Sequence, residues 1–239
     1  IFLPPRHAPL LVVAETPQLA LVVAASLRAR GRRRVAACAL AAGPPHGPGL
    51  TWASGPASGS LWSPPPFLAR WAHLLPPPAA GPVLDLACGS GRAAVWLARR
   101  GWRVTAIDHQ EEALDLGRRL AAREGVRVDF RLADLRTRDA LPTGAWTAAL
   151  LFRFLDRDLL ARLPDVLARP AVVMLRTFRD APGYVGNPRP HHRLGRGEAA
   201  SLWSAAGARL LVHEESFDAD GKPATGVVAG LARSRRDLT

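Results

Sequence analysis

The stretch Val83-Leu84-Asp85-Leu86-Ala87-Cys88-Gly89-Ser90-Gly91-Arg92 constrains the fold of this 239-residue chain more than any other. Val83 and Leu84 read as the end of a buried strand that delivers an acid, Asp85, into a loop of small residues. Gly89 and Gly91 lack the Cβ atoms that would hold a ligand away from the backbone. Ala93 to Ala98 then begins a helix whose first N–H groups are expected to point back at the same spot. Strand, small-residue loop and helix in this order open a βαβ unit with room for a nucleoside at the turn.

Two further acids follow at the ends of two further expected strands. Gly101 to Asp108 reads as the second, and Asp108 stands about 20 residues beyond Gly89, the separation at which an acid accepts both hydroxyls of a ribose. Phe130 to Asp134 reads as the third, with Asp134 where the edge of an adenine would be met. The candidate cofactor-binding residues are therefore Asp85, Ala87, Cys88, Gly89, Ser90, Gly91, Asp108, His109, Asp134, Leu135 and Phe152. A nicotinamide- or flavin-binding oxidoreductase competes, because Gly89-Ser90-Gly91-Arg92-Ala93-Ala94 fits a relaxed G-x-G-x-x-G/A fingerprint. Against it, Asp85 would repel a pyrophosphate, whereas an acid there suits a ligand carrying an ammonium group.

On these residues the chain resembles the class I S-adenosylmethionine-dependent methyltransferases, whose first motif is an acid followed by a G-x-G loop. From Leu61-Trp62-Ser63-Pro64-Pro65-Pro66-Phe67 to the C-terminus it looks like the branch that includes tellurite-resistance and thiopurine methyltransferases. It departs at Ala87, where the family's first small residue is usually Gly, a change expected to narrow the loop without closing it. The resemblance implies a doubly wound α/β fold with a mostly parallel, seven-stranded, Rossmann-like sheet, S-adenosylmethionine as cofactor, and methyl transfer to a small acceptor. The alternatives are an NAD(P)-binding oxidoreductase and a non-catalytic cofactor-binding subunit of an RNA-modifying complex.

Ahead of this domain, Pro9–Ala14, Pro17–Ala29 and Arg34–Leu40 read as strand, helix and strand. Residues 1–42 resemble the later half of a rhodanese domain, in degenerate form. The loop Glu15-Thr16-Pro17 has no cysteine to accept sulfur, so no thiosulfate sulfurtransferase activity is expected. Residues 43–60, rich in Gly, Pro and Ser, read as a linker, and residues 61–239 as the methyltransferase domain. Within it, Pro66–Leu75 is expected to be a helix with Phe67, Leu68, Trp71 and Leu75 on one side, and Trp62 serves either the core or the cofactor. Further helices are expected at 156–168 and 198–206, and strands at 146–152, 171–178, 209–214 and 226–232, the last two forming a closing hairpin.

The net charge of +12 and a pI near 11.5 invite a nucleic-acid partner. The charge is almost all arginine, with Lys222 the only lysine, and it is spread along helices, so a solvated surface is the preferred reading and a small-molecule acceptor the favoured partner. Cys38 and Cys88 sit in or beside apolar strands and read as buried free thiols in a reducing compartment. No metal-ligand spacing is present, because His191 and His192 are adjacent without a supporting cysteine pair. No apolar run has transmembrane length, and a cytoplasmic location is the expectation, although Ile1 in place of a methionine leaves the true N-terminus or a targeting segment unaccounted for.

A sulfonium methyl is already electrophilic, so the protein has mainly to align the acceptor and exclude water. A base is needed only for an acceptor that still carries its proton, and none stands out. The weak candidates are Arg153, Tyr184, His191 and His192, while Glu198 reads as a helix cap. The Gly/Pro-rich segment 179–197 reads as a lid over the cofactor edge.

Overall fold

The computed structural model describes residues 10–39, 62–218 and 221–232. They belong to two compact units divided between residues 61 and 62.

The first unit is a strand β1 (Leu10–Ala14), a helix α1 (Pro17–Ala29) and a parallel strand β2 (Val35–Ala39), with Leu10 opposite Val35 and Ala14 opposite Ala39. Thr16 starts α1 by accepting a hydrogen bond from the Leu19 N–H at 3.2 Å, and Pro17 fills the first turn, where an amide would have no partner. Ala24 and Leu27 bury against Val35, and Arg28 donates to the Val35 carbonyl at 2.6 Å. The expected βαβ order is present. The 43–60 linker and the ends of the 1–42 module lie outside the described residues.

The second unit holds a seven-stranded sheet. Its strands are β3 (Val83–Leu86), β4 (Val104–Asp108), β5 (Asp129–Leu132), β6 (Trp146–Phe152), β7 (Leu167–Phe178), β8 (Arg209–Phe217) and β9 (Pro223–Leu231), in the spatial order β5-β4-β3-β6-β7-β9-β8. β9 runs antiparallel to both of its neighbours and the other strand pairs are parallel, as expected for a Rossmann-like sheet closed by a hairpin. Every residue of β3 and β4 is buried, the apolar signature of strands covered on both faces. One face packs Leu84, Leu86, Leu151 and Leu175 against Leu159 and Leu163 of α5 (Arg157–Val166) and Trp203 of α6 (Glu198–Ala205). The other packs Val83, Ala106, Leu150 and Met174 against Phe67 and Leu68 of α2 (Pro66–Trp71) and Leu97 of α3 (Arg92–Ala98). α4 (Glu111–Arg123) lies between β4 and β5 in the chain and buries Leu114, Gly117 and Leu120.

Several boundaries differ from the expected ones for local reasons. α2 ends at Trp71 and continues only as a 3-10 turn, Ala72–Leu74, because Pro76 to Pro78 cannot extend a helix. α5 ends at Val166 rather than residue 168, since Pro164 withdraws an amide from its last turn, and β7 begins at once with Leu167 paired to Trp146. β5 stops at Leu132, so Asp134 lies just past the strand and not in it. Trp62 is buried and its Nε1 donates to Glu124 Oε1 at 2.8 Å, which ties it to the end of α4. No helix among the described residues is long and apolar enough to cross a membrane.

Candidate active site

The loop after β3 bends tightly because three of its residues take left-handed backbone: Ala87 (φ 53°), Gly89 (φ 54°) and Gly91 (φ 66°). The two glycines meet different surroundings. A Cβ on Gly91 would stand 2.6 Å from the Phe130 ring of β5, so this glycine lets the start of α3 approach the sheet. A Cβ on Gly89 would meet nothing within 4 Å, so this glycine leaves an open cradle beside the backbone. Ala87 bears the conformational cost of its left-handed φ, about 1 kcal/mol for a residue with a Cβ. Ala87→Gly is therefore expected to raise the unfolding free energy by up to about 1 kcal/mol in denaturant titrations, with unchanged ligand affinity. A fall in stability would mean that the Ala87 methyl contributes more by packing than its backbone strains.

Asp85 is 1% exposed and turned into the protein, where it accepts the Ala94 N–H of α3 at 3.0 Å. That amide was expected to face a ligand and instead serves the acid. Burial raises the Asp85 pKa from its usual 3.8 to about 7, the neighbouring Asp108 charge adds to this, and the Ala94 bond opposes it. The folded chain thus holds a proton that the unfolded chain releases near pH 4. Stability from this site is full below about pH 4 and is lost as the pH rises through about 7, by at most about 4 kcal/mol. Asp85→Asn keeps an acceptor for Ala94 and should flatten that decline in thermal melts between pH 4 and 8. An unchanged decline would show that another group carries it.

Asp108, at the end of β4, is 7% exposed. Its Oδ2 accepts the Gly89 N–H at 2.7 Å and its Oδ1 the Gln110 N–H at 3.0 Å, so the second acid also fixes the first loop. The His109 Nδ1 lies 3.4 Å from the same carboxylate. Asp134 is gripped by Arg136, whose Nη2 donates to Oδ2 at 2.7 Å and whose Nε donates to Oδ1 at 2.9 Å, and this guanidinium lowers the Asp134 pKa to about 2.

Asp108, His109, Asp134 and Leu135 line one cavity of about 300 Å³ with Ala87, and Arg136 joins them. The same cavity is also lined by Arg153, Phe154, Phe178 and two residues of the Gly/Pro-rich segment, Pro188 and His192. Of the remaining candidates, Gly89 is tied to the cavity wall through Asp108, while Cys88 is half-buried with its thiol pKa pushed up by burial and by Asp85. Asp85, Cys88, Gly89, Ser90, Gly91 and Phe152 are not themselves in the lining, and Phe152 packs into the core against the α2 side. Tyr184 and His191 also lie outside it. The Tyr184 hydroxyl donates to the Asn187 carbonyl at 3.0 Å, its ring lies 4.6 Å from the Arg193 guanidinium, and the His191 and His192 rings lie 4.1 Å apart at a tilt of 50°. Glu198 was expected to cap its helix, but α6 starts after Gly197 without a side-chain cap, and Glu198 instead accepts the Gly195 N–H of the preceding loop at 2.7 Å and pairs with Arg157 at 2.6 Å.

Arg193 has no counterpart among the expected site residues, yet it organises the segment beside the cavity. Its side chain is 3% exposed, and it donates to the carbonyls of Pro188 (2.7 Å), Tyr184 (3.3 Å) and Gly186 and to Asp180 (3.0 Å). The base of the loop is closed by Leu194 N–H to Phe178 and Asp180 N–H to Leu194, at 2.9 and 2.7 Å.

Residues 83–169 match a family described as methyltransferase domain. An uncharacterized protein of Schizosaccharomyces pombe is 29% identical over 218 residues, covering 71% of this chain and 63% of its own length. The ubiquinone biosynthesis O-methyltransferase of Xanthomonas axonopodis pv. citri is 34% identical over 79 residues, covering 33% of each chain. The chain thus spans less than two thirds of the length of either relative. Among solved structures, an S-adenosylmethionine-dependent methyltransferase from Methanosarcina mazei is similar with a TM-score of 0.57 and 18% identity, covering 72% of this chain and 100% of that one. TehB from Haemophilus influenzae has a TM-score of 0.57 and 15% identity, covering 69% and 60%. Strand order and the family match over the loop after β3 agree on a Rossmann-like methyltransferase fold, in which residues 83–169 match a methyltransferase domain.

Proposed function

We propose that the cavity between Asp108 and Phe178 binds S-adenosylmethionine at its acidic end and a small methyl acceptor at the other. The observation that carries this reading is that Asp108, at the end of β4, and Asp134, just past β5, line the same cavity as Ala87, Arg153 and Phe178. Gly89 fits the cofactor, because its open cradle admits a ligand against the backbone. Asp108 would accept the ribose hydroxyls while it keeps the loop shut through Gly89 and Gln110, and Asp134 with Leu135 would meet the adenine. Asp85 acts through α3, as a positioning residue beneath the loop. When bound, the cofactor supplies a methyl group on a positively charged sulfur. The chain's part is to hold acceptor and methyl group in line and to keep water out, with Phe154, Phe178, Pro188 and His192 as walls.

A soft small nucleophile, such as a thiol, is the acceptor class we favour, in keeping with the tellurite-resistance and thiopurine branch. Residues 1–42 we read as a degenerate rhodanese-like module, residues 61–239 as the catalytic domain, and the working compartment as the cytoplasm. Incubating the protein with methyl-labelled cofactor and either a thiol panel or total RNA tests this. The expected result is label on a thiol at a rate nearly insensitive to salt. Label on RNA, with a rate collapsing between about 50 and 200 mM salt, would assign the arginines to phosphate instead.

A further inference from the structure

We propose that the chain has a second ligand site, at the end of the sheet opposite the cofactor loop, and that it takes an organic carboxylate with an apolar body between Arg169 and Arg209. The site is a cavity of about 640 Å³, within the range that holds small organic ligands. It lies where β6 and β7 begin and β9 ends, whereas Arg153 to Asp156, after β6, and Phe178, the last residue of β7, line the other cavity. From Val172 to Phe178 the strand covers about 20 Å, so the two cavities can be filled at once. A bulge builds the wall of the new site. Trp146 of β6 stands opposite Leu167 of β7 but Ala148 stands opposite Val172, so one residue of β6, Thr147, faces four of β7, Ala168-Arg169-Pro170-Ala171. The excess chain lines the cavity and brings Arg169 to it. Arg209, the first residue of β8, enters through the sheet: it is opposite Gly230 of β9, which is opposite Val172.

The charge of the lining decides what it binds. No carboxylate and no histidine lines this cavity, whereas Asp108, Asp134 and Asp156 line the other. Among the described residues, no ion pair, side-chain hydrogen bond or ring contact engages Arg169 or Arg209. Thr147, the one other polar side chain in the lining, already donates to the Pro82 carbonyl at 3.3 Å. The rest is apolar: Pro76, Pro77 and Pro170 offer a ligand no N–H, and Leu211 remains 39% exposed. An apolar body would remove Leu211 and the prolines from water, and a carboxylate would give the two guanidinium groups the charge-assisted partner that the lining does not supply. A neutral molecule of the same shape gains only the first of these.

The test is calorimetry on the full chain, with and without S-adenosylhomocysteine, using two matched pairs: octanoate against octanamide, and 2-naphthoate against 2-naphthamide. The acid of at least one pair should bind about tenfold or more tighter than its amide, and S-adenosylhomocysteine should leave its affinity unchanged. Arg169→Gln with Arg209→Gln, both at exposed positions, should abolish the preference for the acid. Ala145→Trp, which fills the cavity from an exposed position, should weaken acid and amide alike. Binding of none of the four, equal affinity for acid and amide, or a preference that survives the double arginine substitution would overturn the proposal. So would affinities that Ala145→Trp leaves untouched, or an acid displaced by S-adenosylhomocysteine, which would put it in the other cavity. None of these outcomes bears on the methyltransferase reading, which stands or falls with cofactor binding.

Discussion

Asp108→Ala is expected to lower S-adenosylmethionine affinity about 100-fold or more and to destabilise the fold at the same time. The substitution removes the proposed acceptor for two ribose hydroxyls, and the hydrogen bonds lost would go to a charged group, each worth about 1.5–3 kcal/mol. It also strips the acceptor from the Gly89 and Gln110 N–H groups, so the loop that cradles the ligand loses its tie to β4. Asp108→Asn separates the two effects. One amide oxygen can still serve Gly89 while the charge is gone, so stability should recover more than affinity does. If both variants bound the cofactor as tightly as the unsubstituted protein, Asp108 would be a loop tether and nothing more.

Arg193→Ala should release the segment from Asp180 to Leu194 and, with it, the acceptor end of the cavity. The guanidinium is the hub for three carbonyls and Asp180 in a loop without a core of its own. Its removal costs about 2–3 kcal/mol locally, and amide exchange across residues 181–193 should quicken by about 30- to 100-fold. Pro188 and His192 line the cavity from this loop, so methyl transfer should fall more than cofactor affinity. Lysine cannot reproduce the fork of donors, and Arg193→Lys should recover only part of the order. Unchanged exchange in Arg193→Ala would mean that the closure at Phe178, Asp180 and Leu194 suffices to hold the loop.

The parts of this protein that were readable in its sequence are those encoded by neighbours in the chain. The acid and glycines of residues 85–91 announce a strand end, a left-handed loop and a helix start in seven residues. Thr16-Pro17 likewise announces the start of α1, because a side-chain acceptor followed by a residue without an amide suits a helix terminus and little else. After Asp134 the alternating strands and helices were legible as a parallel sheet with its antiparallel β9; Pro164 shortened one helix, and β7, β8 and β9 begin or end up to four residues away from the expected bounds.

What stayed hidden was set by residues distant in the chain. Asp85 looked like a ligand contact, but every position of β3 is buried and its carboxylate is spent on Ala94. Arg193 was one arginine among many, and only the fold shows that the carbonyls of its own loop surround it; a Gly/Pro-rich segment poor in internal donors was the available hint. Arg136 could have been suspected from its place two residues after Asp134, a spacing that lets a guanidinium fold back on a carboxylate. Tyr184 and His191 shared a segment with His192, yet the turn at Pro190–His192 leaves only His192 in the cavity lining.

Titrating S-adenosylmethionine and NADH separately into the purified protein tests the central claim most directly. Saturable binding of S-adenosylmethionine that is weakened by Asp108→Ala, with no binding of NADH, is the predicted result; binding of NADH in preference, or S-adenosylmethionine binding that Asp108→Ala leaves untouched, would contradict it.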